Sequence, residues 1–167
     1  MIKTIEEFYQ EAEKYSGPFD AFAEKHKLVG RAVADHICYK CDSKEVFEAM
    51  RALLENESEY TYQSIISKRR IAYIRLKKGI PTSLGMLNFL ELSDQRFDKP
   101  QKTGFHHIEV YPVTFSYEEM LKELEVSEKV IQKERPHHTT HEVAIGGFVF
   151  RCTQGPTIEK IKQEEML

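Results

Sequence analysis

Residues 103–112 read TGFHHIEVYP, and their alternation is that of a β-strand. Counted by twos, Phe105, His107, Glu109 and Tyr111 share one face, while His106, Ile108 and Val110 share the other. The β-branched face suits packing on a helix or a second sheet. The opposite face carries an imidazole, a carboxylate and a phenol, which are costly to bury without partners. Taken alone, the strand is equally well explained as the half-solvated member of an antiparallel sheet. About 70 residues upstream, however, residues 34–40 read ADHICYK, again with a histidine directly before an isoleucine. Asp35-His36-Ile37 matches His106-His107-Ile108, and helix-like and then strand-like segments follow each. The chain therefore reads as two copies of one unit.

Composition bounds the possibilities. The chain has 167 residues, 41% hydrophobic and 31% charged, which suits one compact globular domain. A net charge of −3 offers no electrostatic footprint for nucleic acid or anionic lipid. No apolar run reaches membrane-spanning length, and the amphipathic, acidic start is unlike a signal peptide. Three cysteines argue against a disulfide framework and for a reducing compartment, so a cytoplasmic location is expected. Cys38 and Cys41 form a lone C-x-x-C at a strand end, a weak signal for zinc or redox use.

In chain order, Thr4–Tyr15 carries Ile5, Phe8, Tyr9 and Ala12 on one helical stripe, and Ser16-Gly17-Pro18 is expected to stop it. A second helix is expected over Phe19–Leu28, ending near Gly30, so residues 1–30 form a helical preface. A first module, residues 31–98, then opens on the strand Ala34–Lys40. Ser43 caps a helix through Val46, Phe47, Met50, Leu53 and Leu54. Strands follow over Tyr60–Ser67, Ile71–Lys77 and Met86–Leu92, with Gly79-Ile80-Pro81 as a loop. The second module, residues 99–167, repeats the order: strand Phe105–Tyr111, a helix capped by Ser116, a weak strand near Lys129–Lys133, and strands Thr139–Ile145 and Phe148–Thr153 about a Gly146-Gly147 turn. A last helix runs from Thr157 to about Glu164. The fold class is α+β, two βαβββ modules plus a helical preface.

The period of two then sorts the strand faces. Apolar residues point to the helices, leaving His36, Cys38, Tyr73, Arg75, Phe89, Glu91, His107, Glu109, Tyr111 and Arg151 on the opposite surface. Two histidines and one carboxylate from three strands make a facial triad with open positions, and His36, Glu91 and His107 are the expected metal ligands. Glu109, two residues from His107 on the same face, is placed to serve as a ligand, to orient one, or to move a proton. Within residues 135–142, RPHHTTHE, adjacent His137 and His138 sit beside Pro136 in a loop and are not expected to chelate together. His141 is a possible cleft neighbour, and His26, at a helix end, is expected on the surface.

These residues carry a likeness. The two βαβββ modules, their DHI and HHI openings and the fourth-strand LNFLELS resemble the vicinal oxygen chelate superfamily, which includes glyoxalase I, extradiol dioxygenases and bleomycin-resistance proteins. The preface, ADH, LELSDQ, GFHHIEVYP and the closing strand resemble, more narrowly, the YecM-like family of small bacterial proteins. The resemblance implies modules whose curved mixed sheet encloses a cleft, with one metal ligand from the first and fourth strands of each. Carried over, this gives His36, Glu91 and His107, with a fourth position near Arg151, which cannot ligate a cation. The expected function is a divalent-metal-dependent isomerase or lyase acting on a small oxygen-chelating anionic substrate. In it Glu109 or Glu91 would move the proton, Arg75 or Arg151 would hold a carboxylate or phosphate, and Tyr73 is a further catalytic candidate. The ion would be Zn, Ni, Co or Mn, or Fe for a dioxygenase. The alternative is a ligand-binding protein without turnover. The expected partner is a small molecule, not nucleic acid or membrane, bound by a monomer or homodimer.

Overall fold

Eight strands form one mixed sheet in the order β2-β3-β4-β1-β5-β8-β7-β6. The computed structural model describes residues 1–135 and 138–165. The strands are β1 (Ala32–Lys40), β2 (Ser58–Ile66), β3 (Arg69–Thr82), β4 (Gly85–Ser93), β5 (Gly104–Pro112), β6 (Ile131–Glu134), β7 (Thr139–Ile145) and β8 (Phe148–Cys152). β1 pairs with β4 in parallel, β5 with β8 in parallel, and an antiparallel β1–β5 seam joins the halves. Each half therefore shows the expected β-α-β-β-β order, and the α+β arrangement is the one anticipated.

Helices α2 (Lys44–Leu54) and α3 (Tyr117–Glu125) cover one face. Ser43 accepts the Val46 amide at 3.2 Å to start α2, and Ser116 with Glu119 forms a full capping box on α3. Phe47, Met50 and Leu54, and Met120 and Leu124, recur at helical spacing and are all buried. Helix α4 (Thr157–Glu165) lies on the other face, where Ile158 and Ile161 pack on Ile71 and Tyr73. Among the described residues no helix is long and apolar enough to cross a membrane.

Three expectations are corrected. The preface is one continuous helix, α1 (Ile5–Lys25), running through Gly17 and Pro18. Phe8, Ala12, Phe19, Phe22 and Ala23 are buried along one stripe that never loses its phase. That stripe lies along the second half of the sheet: Phe8 packs on Phe105 (5.5 Å between ring centroids) and Phe22 on Phe150 (4.7 Å). Burial of several aromatics at ~1.5–3 kcal/mol each outweighs roughly 3 kcal/mol for an interior proline and ~1 kcal/mol for a glycine. Second, Gly79-Ile80-Pro81 is not a loop but the far end of β3, past an irregularity between Arg75 and Ile80. A β-carbon on Gly79 would lie 2.7 Å from the Asn88 side-chain oxygen and 2.9 Å from the Met86 methyl, so those side chains would have to move aside.

Third, Phe105 lies on the helix side, not with His107. The β1–β5 ladder pairs Cys38 with His107 and then Tyr39 with Phe105, leaving His106 as an unpaired bulge residue. The bulge inverts the alternation, and Phe105 packs on Tyr39 at 5.0 Å. A second bulge at Asp35 lies between the pairs Ala34–Val110 and His36–Glu109. Each bulge residue directly precedes one of the paired histidines.

Because Gly17 lies inside α1 with nothing within 4 Å of where a β-carbon would sit, alanine fits there without conflict. Gly17→Ala is expected to stabilise the protein by about 0.5–1 kcal/mol. A urea midpoint that falls in this variant would mean the helix is not continuous at that turn.

Candidate metal centre

The bulged seam brings the two histidines together. The His36 and His107 rings lie 5.8 Å apart between centroids, on the face opposite α1–α3. Parallel pairing with β1 sets Glu91 beside Cys38, and its Oε2 lies 3.1 Å from His36 Nε2. Glu109 Oε2 lies 3.8 Å from the same nitrogen. One ligand atom from each of His36, Glu91 and His107 falls within 4.8 Å of the others, as does a second set from Asp35, His36 and Glu109.

The donor chemistry suits a divalent cation. Asp35 Oδ2 lies 2.7 Å from His36 Nδ1 and fixes that side of the ring. His36 Nε2 is buried and makes no hydrogen bond, although two carboxylates surround it. A carboxylate behind one ring nitrogen and an unbonded second nitrogen facing acidic oxygens is the usual setting of a ligating histidine. Cys38 Sγ, 3.5 Å from Glu91 Oε1, donates to the oxygen of Glu91 that faces away from His36.

Charge divides the site. Burial alone would lower the His36 pKa, but Glu109, Asp35 and Glu91 together hold it well above the ordinary imidazole range. Burial would raise Glu91, yet the charge of His36, 3.1 Å away in ion-pair contact, brings it down to about 2. Glu109 is likewise lowered against its burial, chiefly by His36. His107 goes the other way: burial, then the Arg151 charge, push it well below the usual range, so it is neutral. Arg151 Nη1 donates to His107 Nε2 at 2.9 Å. His107 Nδ1 then carries the hydrogen and donates to His106 Nδ1 at 2.8 Å, a tautomer assigned by the network.

A cavity of about 220 Å³ opens on this cluster, with Glu91, Glu109, Arg151 and Tyr73 at its inner wall. A larger groove of about 690 Å³ lies on the other face against α1, lined by residues such as Glu7, Tyr15 and Phe105. It is lined by none of Glu91, Glu109, Arg151 and Tyr73, and the chemistry belongs to the smaller cavity. Of the expected site residues, His36, Glu91, His107, Glu109, Arg151 and Tyr73 come together. Arg75 does not: it pairs with Glu59 at 3.4 Å and lies over Phe89. Tyr111 is half-buried and outside the cavity lining.

Other histidines also move. His141 turns to the helix side, 2.7 Å from the Tyr117 hydroxyl, and is no cleft neighbour. His26 is buried against Phe22 and 3.0 Å from Glu128 rather than on the surface. His138, set aside as a loop residue, lines the cavity 3.5 Å from Glu109 Oε1. His137 falls outside the described residues. Cys41 is buried in the helix-side core while Cys38 faces Glu91, so the C-x-x-C does not act as a pair. Sequence reasoning missed Thr157, whose hydroxyl donates to Glu109, and Glu142, which accepts from Arg151 at 2.9 Å and from Arg135. It also passed over Asp35 and His106, although the repeat places both at equivalent positions before a histidine.

A family model described as YecM protein matches residues 4–161. The chain belongs to the YecM family. No curated protein matches it in sequence. Among solved structures, a structural-genomics target described as Protein EC4020 superposes with a TM-score of 0.70 at 20% identity, covering 98% of both chains. That likeness establishes a shared fold. Methylmalonyl-CoA epimerase in complex with methylmalonyl-CoA is a looser match, with a TM-score of 0.49 at 15% identity over 77% of this chain and 97% of that one. The Streptomyces coelicolor methylmalonyl-CoA epimerase gives 0.46 at 14% identity over 74% and 98%. Neither is close enough to speak for the chemistry of this YecM-family chain.

Acid sensitivity follows from the imidazoles that burial keeps neutral. His106 is lowered from 6.5 to about 4, by burial first and then by Lys40 and Arg151. Below pH 6.5 the unfolded chain takes up a proton there that the folded one refuses. This contribution to stability is complete above pH 6.5 and declines as pH falls toward 4. Urea unfolding of metal-stripped protein should show that decline, and His106→Asn should flatten it; an unchanged slope would rule the assignment out.

Proposed function

We propose that this YecM-family protein is a divalent-metal-dependent enzyme of the vicinal oxygen chelate type, carrying out isomerase- or lyase-like chemistry on a small anionic substrate. The observation that carries this reading is His36 Nε2, buried and unbonded between Glu91 and Glu109 while Asp35 holds Nδ1. His36, Glu91 and His107 would hold the ion, and imidazole with carboxylate admits Zn, Ni, Co, Mn or Fe(II). When bound, the ion supplies Lewis-acid stabilisation of negative charge developing on substrate oxygen.

The remaining steps belong to the chain's own groups. Glu109 is ionised and accepts from the Thr157 hydroxyl on one oxygen; its other oxygen lies 3.9 Å from Arg151. It is the group to take a proton from substrate carbon and return it to the same or another atom. Arg151 would hold a substrate carboxylate or phosphate, as a guanidinium suits paired oxygens. Burial, with Glu91 and Glu109 nearby, raises the Tyr73 pKa well above the usual phenol range, so it remains a hydrogen-bond donor. Helix α4 covers part of the cleft and limits access of water.

One contact favours a second reading, a ligand-binding protein without turnover. Arg151 already donates to the His107 Nε2 lone pair, so an ion ligated there must displace it. The two readings differ in metal content. Protein purified without chelator and without a nickel-affinity step should carry about one equivalent of transition metal under the enzyme reading. His36→Ala and His107→Ala should lose it while keeping the wild-type circular dichroism spectrum, and Glu109→Gln should retain it. Metal-free wild type that also fails to take up added Zn, Mn, Co, Ni or Fe(II) would leave the binding protein as the reading.

A further inference from the structure

Guanidinium groups line the cavity from both halves of the sheet. Arg69, at the start of β3, and Arg96, after β4, come from the first half. Arg135, after β6, and Arg151, on β8, come from the second. Behind them, Glu142 accepts Nε of Arg151 at 2.9 Å and Nη2 of Arg135, and Lys133 reaches its other oxygen at 3.1 Å. Glu142 thus steadies two cations that repel each other. Arg69 is steadied differently, by Gln101 Oε1 at 3.0 Å. Arg96 pairs with Asp98, whose side chain is 63% exposed, and such a pair is cheaply exchanged for a ligand.

The acidic groups on the same wall are already engaged. Glu91 and Glu109 face His36, and Glu134 accepts from Thr139 and Gln132. His138 lines the cavity with both ring nitrogens buried and without a hydrogen bond, Nε2 lying 3.5 Å from Glu109 Oε1, and is a further polar group for a ligand to meet. A neutral occupant would offer none of the four guanidinium groups an anion to meet. A monoanion would relieve only one side.

We infer that the substrate is a short organic acid with an anionic group at each end, a carboxylate at one and a carboxylate, phosphate or phosphonate at the other. One end meets Arg151 and Arg135 beside Glu109, and the other meets Arg69 and Arg96. This rests on reading the cleft as the substrate site proposed above, but it needs no metal. Arg69 and Arg96 are then specificity determinants for the distal anion.

Calorimetric titration of the full chain tests this. Protein stripped by a chelating resin, with and without Mn(II), is titrated at matched ionic strength with phosphonoacetate, malonate, acetate and inorganic phosphate. The two-ended anions should bind at least about tenfold more tightly than acetate or phosphate, the worth of one charge-assisted contact. R96Q and R69Q should each lose about tenfold for phosphonoacetate and leave acetate unchanged. R96Q alters a surface pair, so it keeps the test valid if R69Q fails to fold. Acetate or phosphate matching phosphonoacetate would overturn the inference, because the cavity would then hold a single anion. So would R96Q and R69Q that bind phosphonoacetate like wild type, since those arginines would serve only their loop. Metal and anion arms separate the two proposals: a two-ended preference without Mn(II) uptake leaves this inference standing alone, and Mn(II) uptake without that preference leaves only the metal site.

Discussion

The antiparallel β1–β5 seam, with a bulge in each strand, sets where both histidines and the charges around them lie. Asp35 and His106 are the extra residues, and each precedes a histidine that the bulge aims at the seam's midline. The pairing makes the site a local two-fold. His36 corresponds to His107, Asp35 to His106 and Cys38 to Glu109. Glu91, beside Cys38 on β4, corresponds to Arg151, beside Glu109 on β8. A slip of one residue would turn Ile37 and Ile108 into the cleft and the histidines into the helix-side core.

Symmetry of backbone does not carry over into symmetry of charge. One half surrounds its histidine with carboxylates and favours a cation. The other sets an arginine against its histidine, keeps that imidazole neutral and favours an anion. Burying so many ionisable groups is tolerable only because each meets a partner: His36 meets Asp35, Glu91 and Glu109, and Arg151 meets His107 and Glu142. A duplicated scaffold has thus given its halves opposite electrostatic tasks around one cavity.

Two helices make that arrangement one body. Helix α1 lays a single aromatic stripe across β5 and β8, and its Tyr9 hydroxyl donates to the Lys78 carbonyl of β3 at 2.8 Å. Helix α4 closes the opposite face over the first half, and at its start Thr157 bonds Glu109 of the second. The cleft is therefore bounded by a segment far from either histidine in sequence.

The repeat, the order of strands along the chain and most of the cleft-face residues are legible in the sequence, because the alternation of apolar and polar positions records which side of a sheet is buried. The sequence foretold His36, Glu91, His107, Glu109, Tyr73 and Arg151 as neighbours. It misplaced Phe105, because a bulge adds one residue and inverts parity without any change in residue type. It broke α1 at Pro18, because local propensity weighs a proline without the packing that offsets it. Long-range packing keeps Arg75 outside the cavity, brings Arg69, Arg96, Arg135 and His138 to its lining, and sets Thr157 and Glu142 in support. Those placements depend on which loops and strand ends meet across the sheet, a matter of long-range pairing that no window of neighbouring residues contains.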